Sequence, residues 1–111
     1  MQKIAIPVSD NKLSPQFTSS PQVQIFRVEN QAIVKDYIIQ PPSQLSESLA
    51  VWLAKKDITD IITRGIENEE IKIFNQRKIN VFVGVELENP KILVENYING
   101  TLETHDNLIV Q

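Results

Sequence analysis

The apolar residues of this chain first change period at Pro41-Pro42, and that change limits the folds open to it. Before the two prolines the pattern is strand-like. Residues 3–8, Lys-Ile-Ala-Ile-Pro-Val, form a short β-rich apolar run halted by Ser9-Asp10-Asn11, which reads as a buried strand and a turn. Pro7 is acceptable there because it lies close to the strand's end. Residues 23–28 and 32–39 alternate in character, and Glu29-Asn30-Gln31 between them is short and polar, with Asn30 suited to a left-handed conformation. These two segments are expected to form a β-hairpin. Residues 9–21 hold two prolines, four serines and no period, so a long loop is expected there; loops of that length in compact domains are usually functional or mobile.

After Pro42 the period becomes helical. Leu45, Leu49, Trp52 and Leu53 fall on one helix face, with Ser43 or Ser46 as the expected cap and Lys55 and Lys56 in the last turn. A compact strand is expected over 58–63, a helix over about 67–78 with Ile71 and Phe74 inward, and a strand over 80–85. Asn89-Pro90 supplies the N-cap and first residue of a third helix that Asn99-Gly100 ends. The order βββαβαβα implies an α/β fold with a mixed sheet, antiparallel at the hairpin and parallel at the crossovers, with helices on both faces. At 111 residues the chain is one domain, 1–103, with a tail over 104–111 in which Leu108-Ile109-Val110 can add an edge strand.

Composition excludes more than it nominates. There is no cysteine and one histidine, so disulfides, thiol nucleophiles, Cys-based zinc sites and all-Cys iron–sulfur sites are ruled out. Eleven Lys and Arg against 14 Asp and Glu give a net charge of −3, which argues against a protein that coats nucleic acid. No signal-peptide core and no membrane-length apolar run is visible, and a cytoplasmic location is expected.

In open sheets of this kind ligands sit beyond the carboxyl ends of the parallel strands. Ser9-Asp10, Arg64-Gly65 and Gly84 are expected to meet there, with the loop that carries Phe17, Thr18, Ser19 and Ser20. Arg64 is either a cationic fork for a carboxylate or phosphate-like group, or an ordinary solvated side chain. Gly65 can serve a close ligand or merely a tight turn, and Asp10-Asn11 suits a turn better than an acid catalyst. The acids at 67–70 are a helix start first and a Mg²⁺ site second. A Ser-His-Asp arrangement would have to use His105, outside the expected core, so an enzyme is not expected.

Taken together, Lys3-Ile4-Ala5-Ile6-Pro7-Val8, Phe17, the segment Pro21 to Phe26, Gly65, Val81 to Gly84 and Tyr97 to Gly100 resemble, in order and spacing, the dinitrogenase iron–molybdenum cofactor biosynthesis family. The resemblance covers residues 1 to about 103. It implies a ribonuclease-H-like fold with a five-stranded mixed sheet, and a non-enzymatic role in binding, carrying or inserting iron–sulfur or molybdenum-containing clusters. Where members commonly read His-Phe-Gly-Arg, this chain reads Gln16-Phe17-Thr18-Ser19, and where they have His-Gly-Gly it has Pro42-Ser43-Gln44-Leu45. The pocket is expected to be bounded by Asp10, Phe17, Ser19, Arg64 and Gly65. The implied partners are a metallocluster or a protein of cofactor assembly. The alternative is a metal-free interaction or regulatory module that kept the fold and lost the site.

Overall fold

The computed structural model describes residues 1–42, 47–106 and 109–110. Ser43, Leu45 and Ser46, expected in the first helix, and Leu108 of the expected edge strand lie outside the described residues. Strand β1 (Gln2–Ser9) turns at Asp10-Asn11 into a two-residue strand β2 (Lys12–Leu13) inside the expected loop. Asp10 and Asn11 both take positive φ, 52° and 65°, a conformation their short polar side chains tolerate. Strands β3 (Gln22–Glu29) and β4 (Ala32–Ile39) form the expected hairpin, turning through positive φ at Asn30 and Gln31. Helix α1 (Leu49–Ala54) starts later than its apolar period suggested and is capped by Ser48, whose hydroxyl accepts from the Val51 N–H. Lys55 is the C-cap of α1 and Lys56 lies just beyond it.

The remaining elements are β5 (Asp60–Ile62), β6 (Ile66–Glu67), α2 (Asn68–Gln76), β7 (Asn80–Phe82), α3 (Pro90–Asn99) and β8 (Ile109–Val110). Asn89 caps α3 by accepting from the Lys91 N–H, Pro90 opens it, and Gly100 closes it at φ 74°. Among the described residues the sheet runs β4-β3-β1-β5-β7, the five expected strands, with the two-residue β2 appended to β1 as a sixth. β1, β3 and β4 pair antiparallel, whereas β1, β5 and β7 are parallel. The described residues of the C-terminal tail add no strand to this sheet; β8 pairs in parallel with β6.

The central strand shows why its sequence is apolar throughout. Ile4, Ile6 and Val8 point to one face, with Phe26, Ile62, Leu93 and Val94. Ala5 points to the other, with Ile25, Leu53, Ile61 and Phe74. Helix α3 covers the first face, α1 and α2 the second, so β1 is buried on both sides. Each wholly buried Ile or Phe of these layers contributes about 1.5–3 kcal/mol. Pro7 sits in register with Val23, and its carbonyl accepts from the Ser14 N–H on the opposite edge. Its missing N–H therefore faces the edge where parallel pairing with β5 has already ended at Ala5. Among the described residues no helix is long and apolar enough to cross a membrane.

Candidate functional site

The chain leaves β1 towards β3 and leaves β5 towards β7, so the crevice between the carboxyl ends of β1 and β5 is the switch point where ligands sit in such sheets. Here that crevice is filled by the chain itself. The segment after β2 crosses it and bridges Gln16 to Gly65. The Phe17 N–H donates to the Gly65 carbonyl at 2.8 Å, and the Gly65 N–H donates to the Pro15 carbonyl at 3.1 Å. The hydroxyls of Ser14 and Ser20 both donate to the Gln16 carbonyl, at 3.0 and 2.7 Å. Phe17 is wholly buried and sets its ring edge-on against Phe74, with centroids 5.6 Å apart. Gly65 is needed because a Cβ there would lie 2.7 Å from the Pro15 carbonyl oxygen and 2.8 Å from Gln16 Nε2.

Of the five residues expected to bound a pocket, Phe17 and Gly65 are thus bonded to each other, and Arg64 adjoins them. The half-buried Arg64 guanidinium turns inward, Nη1 donating to the Val85 carbonyl at 2.9 Å. Asp10, in the β1–β2 turn, and Ser19 are solvent-exposed. At the same sheet edge a cleft of about 480 Å³ is lined by Lys12, Leu13, Pro15, Leu87, Glu88 and Asn89, and by none of the five. Gly84, also expected near the site, takes φ 76° beneath the tail, where a Cβ would collide with the His105 carbonyl oxygen. His105 itself is exposed, its backbone N–H donating to the Val83 carbonyl.

Two buried acids lie at opposite ends of the sheet. Glu70, taken as one of the acids of a helix start, is 5% exposed. Its Oε1 accepts from the Glu67 N–H at 3.3 Å, and its Oε2 has no partner among the described residues. Burial, with the Glu67 charge adding to it against that one hydrogen bond, pushes the Glu70 carboxyl up to about 7. No cation stands in α1, β7 or residues 14–20 to offset it. Four-residue spacing to inward-facing Phe74 was the available signal. Asp60, the first residue of β5 and thus at the far end from the crevice, is satisfied by Thr59 Oγ1 at 2.6 Å, Asn80 Nδ2 at 3.0 Å and Tyr97 Oη at 3.2 Å.

The fold is shared with a group of known proteins. A family model of the dinitrogenase iron-molybdenum cofactor matches residues 1–100. The chain belongs to that family. A Methanocaldococcus jannaschii protein, MJ0580, of uncharacterized function, is 28% identical, with 74% of each chain covered. The crystal structure of PH0822 superposes with a TM-score of 0.87 at 21% identity, covering 96% of this chain and 97% of that one. The apo form of the orange protein from Desulfovibrio gigas does so with a TM-score of 0.74 at 16% identity, covering 96% and 94%. At such identities the structural likeness establishes a shared mixed α/β fold.

The metal clusters named by the family do not fit this member's crevice. A cluster needs sulfur or nitrogen ligands, or a cradle of free N–H donors close to the backbone. Here the Phe17 and Gly65 N–H groups are both engaged, the space above Gly65 holds Gln16, and the chain has no cysteine. Among the described residues no group of three or more His, Cys, Asp or Glu is placed to hold a metal ion.

Proposed function

We propose that this chain is a non-enzymatic, cytoplasmic accessory protein of the iron-molybdenum cofactor family, on a ribonuclease-H-like fold, whose degenerate crevice no longer takes a cluster. It acts through contacts with a protein partner of cofactor assembly. One observation carries the reading: the Gln16–Gly65 bridge, with Phe17 beneath it, fills the switch-point crevice and uses its N–H donors internally. Opening the site would break the 2.8 Å and 3.1 Å bonds to Gly65 and expose Phe17. Burying a side chain of that size contributes about 1.5–3 kcal/mol, a cost that ligand binding would have to recover first.

The test is purification without oxygen, followed by incubation with iron, sulfide and molybdate and removal of the unbound excess. The expected product is colourless and carries far less than one metal atom per chain. A stoichiometric metal content with a visible absorption band would overturn the reading and restore that of a cluster carrier.

A further inference from the structure

At the opposite end of the sheet, on the face that carries α1 and α2, three cations stand in a row. Lys3 on β1 is in register with Arg27 on β3, and Arg27 is in register with Lys35 on β4. They share a face, because Ala5, Ile25 and Tyr37, each two residues along its strand, all pack into the same core layer. Neighbouring strands lie about 4.8 Å apart, so the row is about 10 Å long. Like charges directly opposed across strands destabilise a sheet, and this row sets two such pairs side by side in a chain of net charge −3.

Little on the protein offsets them. Arg27 lies 3.7 Å from Glu29, with both side chains substantially solvated. Lys3 Nζ donates to the Lys56 carbonyl, and Lys35 Nζ stands 5.5 Å from the centre of the Tyr37 ring. Among the described residues neither Lys3 nor Lys35 has a carboxylate partner. The three cations, with Met1, Tyr37 and Asp57, line a cleft of about 420 Å³. Asp57 leaves the lining at +2. That volume suits a small ligand, and a row about 10 Å long is too short to track a nucleic-acid backbone.

We infer that this cleft binds a condensed phosphate, whether inorganic or carried by a nucleotide. A straight row of cations matches a linear anion whose charges repeat at short intervals. Arg27 at the centre offers a planar fork for two phosphate oxygens, with the ammonium groups of Lys3 and Lys35 as point charges on either side. A single orthophosphate brings fewer charges and a shorter span to the same row than a condensed phosphate does.

Calorimetric titration of the full chain with inorganic triphosphate, ATP and orthophosphate tests this. Triphosphate and ATP are expected to bind with Kd in the micromolar range, about tenfold or more tighter than orthophosphate, and to weaken as salt is raised. Arg27→Gln should weaken triphosphate binding about tenfold. Lys35→Gln should weaken it too, while leaving the unliganded protein equally or more heat-stable because a like-charge contact is relieved. No binding of triphosphate, or binding unchanged by both substitutions, would overturn the inference. So would a Lys35→Gln protein of lower Tm with unaltered binding, or an acidic peptide that binds this face when triphosphate does not.

Discussion

At the scale of single residues, Glu70 is the group whose sequence and surroundings disagree most. Its position in the first turn of α2 suits the helix dipole, yet it sits on the face that carries Phe74 into the core, and one oxygen has no partner among the described residues. Folding strengthens its hold on the proton, moving its pKa from 4.5 to about 7. The folded chain therefore binds more protons than the unfolded chain between those values, and stability falls as pH rises through that window. Above it the carboxylate is ionised in both states and its burial is fully felt. Glu70→Gln is accordingly expected to stabilise the protein at about pH 8 by on the order of 2 kcal/mol, or several degrees in Tm. The same change should flatten the stability profile between pH 4.5 and 7. Thermal melts of both proteins across that range check it, and a Tm at pH 8 that stays level or falls would count against the burial account. Helix-face spacing made the inward direction of Glu70 legible in principle. Its missing partner was not, because that depends on which elements pack over it.

At the scale of elements, helix-forming and strand-forming periods located most of the architecture, while ends and caps shifted. Strands expected over 58–63 and 80–85 shorten to Asp60–Ile62 and Asn80–Phe82; Thr59 and Thr63 still donate to the Lys3 and Phe82 carbonyls at the strand ends, and Gly84 turns to bond with the Arg64 carbonyl. The first helix begins at Leu49 because Ser48 takes the extended conformation, φ −66° and ψ 155°, and caps the following turn. How elements are held together could not be read from period. Asp60 on β5 is bonded to Asn80 on β7 and to Tyr97 on α3, and the Tyr97 hydroxyl in turn accepts from Gln2 Nε2 on β1 at 2.8 Å. Four elements thus meet at one buried carboxylate. Tyr97→Phe removes two of these bonds and leaves one oxygen of Asp60 short of a donor, so a loss of about 1–3 kcal/mol in stability is expected. Denaturant unfolding measures it; a change within error would mean that water replaces the hydroxyl at no cost.

For the whole molecule, the tail is the part whose role changes most. Expected to lie outside the core with an edge strand at its end, it returns over the carboxyl edge of the sheet, with His105 bonded to Val83 above Gly84 and Ile109 packed on the core beside β6. Removing residues 104–111 is expected to cost about 1–3 kcal/mol, the contribution of one partly buried Ile and a short ladder. The six-stranded sheet should remain intact, and hydrogen exchange should quicken at Ile66 and Glu67; a truncated protein with unchanged exchange there would show that β8 adds nothing to β6. The sequence by itself determined the order of the five main strands and the three helices, the burial of β1 and the absence of thiol ligands, because periodicity and composition are local properties, whereas the short strands β2 and β6 left no period to read. The matching motifs also placed the chain in its family. Tertiary structure alone decided that Gln16 and Phe17 fill the crevice, that Arg64 turns to Val85, and that Lys3, Arg27 and Lys35 stand in line. Those outcomes depend on strand register and on the crossing of segments dozens of residues apart, which no local pattern encodes.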